Sequence, residues 1–291
     1  MNSFDKILLT GALILLGLGI LFIFQSQSFG VDRLIFCDVG QGDGMVLISK
    51  SRQVVIDGGP GRKMSDCLSK YMPLWDRKVE MMVLTHPQKD HMEGLIDVLA
   101  RYEVATVVST GIPNVSGEYM VFSDAVKGEK ARVYIGKRGD KFVVGQGLTL
   151  RVLWPFGANA PQGKPSIEDW KKNAPKDLNE TSIVMRLNSQ SGCVYLTGDI
   201  PKEVLQWLVD KTCEVLKIAH HGSKTGTNIE ILEKIKPKIA VIQVGKNSFG
   251  HPHREVIEML ESKGVKILRN DTNGIIEIIS DGKSYKIKTE K

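Results

Sequence analysis

A layered α/β domain built around mixed sheet is the fold class this sequence predicts, and three observations predict it. Short apolar, strand-like runs recur from residue 34 to residue 280. Segments of helical periodicity lie between them, most regularly after residue 200, as expected where helices cover the faces of a sheet. No proline-rich linker divides the chain, so a single domain over residues 31–291 is the simplest organisation, with residues 1–30 standing apart.

Within those first residues, Ile7 to Phe24 reads ILLTGALILLGLGILFIF, without a charge. Crossing a bilayer core takes roughly 20 apolar residues. The run therefore predicts one N-terminal transmembrane helix acting as a membrane anchor. Residues 25–30 carry no clear A-x-A site, and the run exceeds the ~7–15 residue core of a secretory signal. An uncleaved anchor is expected ahead of a cleaved signal peptide. Lys6 is partly offset by Asp5, and the next basic residue is Arg33; we expect the body of the protein on the outer side.

Strands follow at LIFCDV (34–39), MVLIS (45–49), QVVIDGG (53–59) and VEMMVLTH (79–86), divided by Gly-rich or charged turns. A helix is expected from about Asp90 to Tyr102, where Leu95, Val98 and Leu99 make one stripe. Further strands are read at VATVVS (104–109), ARVYI (131–135), LTLRVLW (148–154), TSIVMRL (181–187) and CVYLTGD (193–199). EVLKIAH (214–220), KIAVIQV (238–244), VKILRN (265–270) and GIIEIIS (274–280) complete the set, with helices at 201–211, 227–236 and 253–263. Residues 156–178 hold three prolines and few apolar residues, so they read as a long irregular loop. Trp170, Lys171 and Lys172 in that loop offer stacking and charge to a nucleic-acid strand, although a solvated insertion is the simpler reading.

The composition, 42% apolar and 25% charged, is an ordinary globular balance that can bury a core. A formal charge of +6 suits a phosphate-rich partner without requiring one. Cys37, Cys67, Cys193 and Cys213 are scattered and show no C-x-x-C spacing. Neither a cysteine zinc site nor a disulfide framework is expected, and Cys37, Cys193 and Cys213 read as small buried hydrophobes.

All six histidines fall in three short clusters, each just after a strand-like run: His86 with His91, His220 with His221, and His251 with His253. The first presents His86, Asp90 and His91 from the turn between a strand and a helix. Imidazole and carboxylate together suit zinc, manganese or iron, and a strand-end loop leaves coordination positions open to water. Another strand ends in Gly198-Asp199, where a fixed carboxylate is placed to bridge two cations. Strand ends of this kind converge naturally on one edge of a layered sheet.

The order DVGQGD (38–43), IDGG (56–59), LTHPQKDH (84–91), NETS (179–182), LTGD (196–199), LKIAHHGS (216–223) and GHPH (250–253) resembles the metallo-β-lactamase domain of ComEC-type competence proteins. The resemblance covers essentially everything after the anchor. It implies a four-layer αββα sandwich with two divalent metal ions, zinc or manganese, at the sheet edge. It places His86 on the first metal, Asp90, His91 and His220 on the second, and Asp199 between them. Asn179 lies in the region where the superfamily carries a further histidine, and joins Asp90, His221 and His251 as a candidate for the catalytic step. His221 and Ser223 are expected near a phosphate or leaving group, and His251 as a further ligand or general acid. His253 reads as a helix cap. Asp43 and Asp57 are expected mostly to accept hydrogen bonds from loop amides, with lining of the site as the alternative for Asp43 and Gln41. Gln88 departs from the pattern, standing where similar proteins commonly carry aspartate. A neutral, weaker ligand there predicts a weak first metal site or one that prefers a hard ion such as manganese.

The activity implied is metal-dependent hydrolysis of a phosphodiester, a nuclease acting on single-stranded or duplex DNA outside the membrane, with Asp90 orienting or deprotonating the attacking water. Lys89, Lys171, Lys172, Lys217 and Lys224 are candidates for a basic groove beside the metals. One span cannot form a channel, so a separate DNA channel protein is the expected partner. Two other readings stay open: an envelope or small-molecule phosphodiesterase or esterase of the same fold, and a metal-poor, non-catalytic binding module, which Gln88 motivates.

Overall fold

The computed structural model describes residues 31–155 and 177–291, with Asp5, residues 10–17 and Gly19 of the N-terminal segment. Residues 10–17 and Gly19 are helical, and the rest of the expected span Ile7–Phe24 lies outside the described residues. Among the described residues no helix is long and apolar enough to cross a membrane. Trp170, Lys171 and Lys172 also lie outside them.

The first half of the domain runs β1 (Asp32–Phe36), β2 (Gly44–Ser49), β3 (Arg52–Gly58), α1 (Lys63–Tyr71), β4 (Lys78–Val79), β5 (Met81–Val83), α2 (Lys89–Arg101), β6 (Glu103–Val104), β7 (Thr106–Ser109), α3 (Gly117–Gly128) and β8 (Arg132–Ile135). The second half runs β9 (Lys141–Gly145), β10 (Leu148–Trp154), β11 (Val184–Ser189), β12 (Gly192–Leu196), α4 (Lys202–Leu208), β13 (Val215–Lys217), α5 (Ile229–Ile235), β14 (Ile239–Ile242), α6 (Arg254–Ser262), β15 (Lys266–Arg269), α7 (Asn270–Asn273), β16 (Ile276–Ser280) and β17 (Tyr285–Thr289).

Each strand-like run read from the sequence contains a strand, and period-2 alternation decides which core each side chain enters. In β2, Met45 and Leu47 face one core while Val46 and Ile48 face another. In β14, Ile239 and Val241 face the first, whereas Ala240 and Ile242 enter a third. The shared core lies between two sheets. The other two lie under helices, with α1, α2 and α3 over the first sheet and α4, α5 and α6 over the second. This is the four-layer αββα arrangement. Burial on both faces explains why central strands such as β2, β3 and β14 are near-continuous apolar runs and not alternating ones.

The first sheet has the order β17-β16-β1-β2-β3-β5-β7-β8 and the second β15-β14-β13-β12-β11-β10-β9. Each sheet joins an antiparallel part to a parallel part. From β3 through β8 the neighbours are parallel, as they are from β12 through β15. The parallel halves send the carboxyl ends of β3, β5, β12, β13 and β14 to one rim of the sandwich, where ligands of open α/β sheets gather.

The sequence reading missed α3 and β9, and it also missed α1 and β17. Helix α1 buries Met64, Cys67 and Leu68 at i, i+3, i+4 spacing, but its polar composition obscured that stripe. Strand β17 alternates lysines with partly buried Tyr285 and Ile287, and pairs along the whole of β16. The cysteines also differ from expectation, because Cys37 is bonded to Cys67 and Cys193 to Cys213. The first bond ties the end of β1 to α1 and the second ties β12 to the segment before β13. Separations of 30 and 20 residues leave no local spacing to read, so only the packing reveals the partners.

Candidate metal centre

At the rim, three carboxyl-terminal strand ends and one helix start deliver the chemistry. Strand β5 runs on through Leu84 and Thr85 to His86, and α2 begins three residues later with Asp90 and His91 in its first turn. The approach of α2 to β3 depends on glycine. A Cβ on Gly94 would lie 2.0 Å from the carbonyl oxygen of Gly58. Gly42 works the same way, because a Cβ there would lie 2.1 Å from the Asp90 carbonyl. The loop after β1 is thereby allowed to lay Asp43 beneath the helix start, its amide donating to the Asp90 carbonyl at 3.2 Å.

Asp199 follows β12. His220 and His221 follow β13 in a turn where both take left-handed conformations, with φ of 53° and 54°. Such backbone is costly for residues with a Cβ, roughly 1–2 kcal/mol each, and concentrates at functional sites. Here it sends consecutive rings in different directions. His221 turns inward, placing Nε2 3.3 Å from both Asp90 Oδ2 and Asp199 Oδ2. His220 stays at the rim, 29% exposed, with Nε2 4.0 Å from Asp199 Oδ2. The structure thus brings His221 together with Asp90, His91 and Asp199, where the resemblance had put His220. The ligand atoms of these four all lie within 4.8 Å of one another.

The outer nitrogens of the two buried rings are already engaged. His91 Nδ1 is 2.8 Å from Asp57 Oδ2, and His221 Nδ1 is 2.9 Å from the carbonyl oxygen of Gln243. Both partners are acceptors, which puts the Nδ1 proton in place and leaves Nε2 facing the cluster. The Nε2 atoms of His86, His91 and His221 and both carboxylate oxygens of Asp199 are buried without a hydrogen-bond partner. Buried polar atoms in that condition are costly unless something polar sits among them. The donor set, two imidazole nitrogens and two carboxylates, fits one divalent cation.

The electrostatics agree. Burial opposes charge on His91 and His221, but Asp199 and the other adjacent carboxylates outweigh it and hold both rings well above the ordinary histidine range. Asp199 is also penalised by burial, yet His221 and His91 hold it well below the usual carboxylate range. Asp90 is held at about 2 against its own burial, chiefly by the His221 ring whose Nε2 lies 3.3 Å from Oδ2. Protons occupy the place of a cation here, so a metal ion would bind by displacing them.

His86 is different. Burial pushes it down to about 3, and its Nδ1 faces the hydroxyls of Thr85 at 3.2 Å and Ser182 at 3.3 Å. Its ring lies 4.1 Å from that of His91. Gln88 lies two residues along the turn from His86, its amide donating to the His86 carbonyl at 3.0 Å, and Asn179, in the 3-10 turn Leu178–Thr181, is buried with an unpartnered Oδ1. His86 belongs to neither group of converging ligand atoms among the described residues. His251 lies over the cluster, its ring centroid 5.5 Å from His220 and 6.4 Å from His221. Burial first, then the other histidines, pushes it down to about 4. A neutral ring near pH 7 suits a ligand or hydrogen-bonding role better than that of a proton donor. His253 sits at the N-cap position of α6 without a side-chain capping bond.

A supporting layer lies beneath these ligands, and in it Asp57 accepts from a loop amide as expected. Asp57 accepts from Thr85 through its amide at 2.8 Å and its hydroxyl at 2.7 Å as well as facing His91. Burial raises its pKa above the usual range. Lys217, expected in an exposed groove, is fully buried instead. Its ammonium pairs with Asp43, donates to the Gly198 carbonyl at 2.9 Å and lies 3.7 Å from Asp199 Oδ1. Asp43 in turn has Oδ1 3.4 Å from His221 Nδ1. A fixed ammonium at this point makes the group Asp43, Asp57 and His91 a support for the ligands and not a second cation site. The signal was position: Lys217 ends a fully apolar strand, where a lysine has no water to reach. Lys89 is exposed and paired with Glu93 and Glu118, and Lys224 is exposed.

No family model matches the chain. Comparison with curated proteins finds ComE operon protein 3 of Bacillus subtilis (strain 168), 28% identical over 302 aligned residues, covering 95% of this chain and 36% of that protein. Recombination protein 2 of Haemophilus influenzae is 25% identical, over 81% of this chain and 27% of that protein. Competence protein ComA of Neisseria gonorrhoeae is 24% identical, over 82% and 31%. The chain spans about a third of the length of these relatives. Among solved structures, the metallo-β-lactamase fold protein YhfI of Bacillus subtilis superimposes with a TM-score of 0.54 at 11% identity, covering 84% of this chain and 98% of that one. Zinc-bound PqqB of Methylobacterium extorquens gives 0.51 at 14% identity, over 79% and 85%. CmlA of Streptomyces venezuelae, a diiron β-hydroxylase, gives 0.53 at 12% identity, over 86% and 54%. The chain therefore has the metallo-β-lactamase fold and is a relative of the competence proteins, matched over about a third of their length.

Proposed function

We propose that this chain is a metal-dependent phosphodiesterase that cleaves DNA outside the membrane, assisting uptake through a separate channel protein. The convergence of Asp90, His91, Asp199 and His221, with both imidazole Nδ1 atoms already engaged, carries the reading. Those four residues would hold the principal divalent ion. His86, buried with an unpartnered Nε2, would offer a weaker second position. Bound there, divalent ions would supply Lewis acidity toward a phosphate oxygen and lower the pKa of water.

The chain's own groups do the rest. Asp90 is the cluster carboxylate open to solvent, 35% exposed. Held ionised down to about pH 2, it is a weak base and an effective hydrogen-bond acceptor, so its work is to orient the attacking water. Asp199 is fully buried and ionised, and balances positive charge inside the site. Asp57 and the Gln243 carbonyl keep His91 and His221 in the Nδ1–H tautomer. His220 and His251 line the solvent side, where a phosphate or leaving group would lie.

The DNA substrate rests on similarity to the competence proteins. The two disulfides support an extracytoplasmic, oxidising location, and the apolar run Ile7–Phe24 supports a single-pass anchor. The test is cleavage of labelled single-stranded and duplex DNA by the full chain in manganese and in zinc, with Asp90→Ala and His221→Ala. Loss of cleavage in both variants, with His220→Ala retaining metal, is expected. A wild-type protein that binds the ion stoichiometrically yet cleaves neither DNA would transfer the reading to an envelope or small-molecule phosphodiester. Failure to bind any divalent ion would favour a non-catalytic binding module.

A further inference from the structure

The loop from Gly245 to His253 forms one wall of the mouth of the metal centre, and it presents an aromatic ring to solvent. Phe249 is 67% exposed. Its ring lies nearly parallel to that of His251, at 5.7 Å and 30°. His251 is in turn 6.4 Å from His221, so the phenyl ring stands within about 12 Å of a cluster histidine.

An exposed phenylalanine on a loose tip would be unremarkable, but this tip is held. Asn247 Oδ1 accepts from the amides of Phe249 at 3.0 Å and His251 at 3.1 Å. Its Nδ2 donates to the carbonyls of Gly245 at 2.9 Å and His251 at 2.8 Å. Gly245 is tied to the loop after β1, its amide donating to Gln41 Oε1 at 3.2 Å. One asparagine therefore fixes the positions of both rings relative to the sandwich. Lys246, on the same loop, is exposed.

We infer that Phe249, backed by His251, is a stacking platform for an unpaired nucleobase of a strand whose phosphate lies at the metal centre. The inference rests on the phosphodiesterase reading and names its substrate class, single-stranded nucleic acid. A phenyl ring has no hydrogen-bonding group, so the platform accepts every base through its flat face. In a duplex that face is covered by neighbouring base pairs, and the platform has nothing to receive. Lys246 adds a cation for the backbone beside the base. The span from ring to cluster is one that one or two nucleotides cover.

The test is equilibrium binding of the full chain to a phosphorothioate-linked hexathymidylate and to an abasic strand of equal length and charge, by fluorescence anisotropy in manganese and again in EDTA. Wild type is expected to favour the base-bearing strand by roughly five- to a hundredfold. Phe249→Ala should lose that preference and keep its affinity for the abasic strand, while Phe249→Trp restores the preference. Equal wild-type affinity for the two strands would overturn the inference, as would a Phe249→Ala loss that is equal on both. Because the EDTA arm reads binding without cleavage, base-dependent binding by a protein that never cuts DNA would sink the nuclease reading alone. Cleavage without base-dependent binding would sink only the platform.

Discussion

Replacing Lys217 by methionine is the most informative perturbation of the core of the site. The ammonium is fully buried, paired with Asp43 and bonded to the Gly198 carbonyl at 2.9 Å. Methionine fills nearly the same volume, so little cavity is made, but the buried Asp43 loses its ammonium and keeps only His221 at 3.4 Å and His91 at 3.9 Å as cationic neighbours. Breaking a buried pair from one side costs about 3–5 kcal/mol, against about 0–1 kcal/mol for an exposed pair. With a urea slope near 3 kcal/mol per M, the unfolding midpoint of the metal-free protein should fall by about 1–1.7 M. Lys217→Met combined with Asp43→Asn removes both charges and should recover more than half of that loss, since no lone charge remains buried. Added manganese should also stabilise Lys217→Met more than wild type, because a divalent ion supplies the missing positive charge. A fall below about 1 kcal/mol in the single variant, or no recovery in the double, would refute the assignment of Lys217 as the fixed cation beneath the ligands.

Three further outcomes follow from the geometry. Asp57→Asn should weaken divalent-ion affinity by about 10- to 100-fold in calorimetry, because an amide is a poorer acceptor for His91 Nδ1–H; an unchanged affinity would separate Asp57 from the ligands. Tyr71 is pushed up to about 12, first by burial and then by Glu277 and Glu290, so its folded pKa lies above the unfolded value near 10. Its contribution is therefore complete below pH 10 and is lost as pH rises toward 12. Tyr71→Phe should flatten the stability curve in that window, and an unaltered curve from chemical denaturation would count against it. Reducing the disulfides opens loops of 30 and 20 residues, which should cost about 3 kcal/mol each on chain entropy. Cys67→Ser and Cys213→Ser should each lower the unfolding midpoint without affecting metal stoichiometry, measured by elemental analysis.

The layered class and most of the strands, though not β9 or β17, were legible in the residues alone. Strands buried on both faces must be continuous apolar runs, and histidines or carboxylates placed directly after them can only emerge at strand ends. That is why LTHPQKDH, LTGD and HHGS were legible as one site before any coordinates. Only the tertiary structure decided between His220 and His221. The two are adjacent in sequence, and a pair of left-handed residues, which no local pattern announces, turns one inward and the other out. It also decided the disulfide partners, since a pairing across 20 or 30 residues depends on where α1 and β13 pack. The same holds for Lys217. A lysine at a strand end reads as a surface cation until the opposite sheet and the loop after β1 close over it and bring Asp43 to its ammonium. Local residue type sets what a side chain can do, and long-range packing sets which partner it meets.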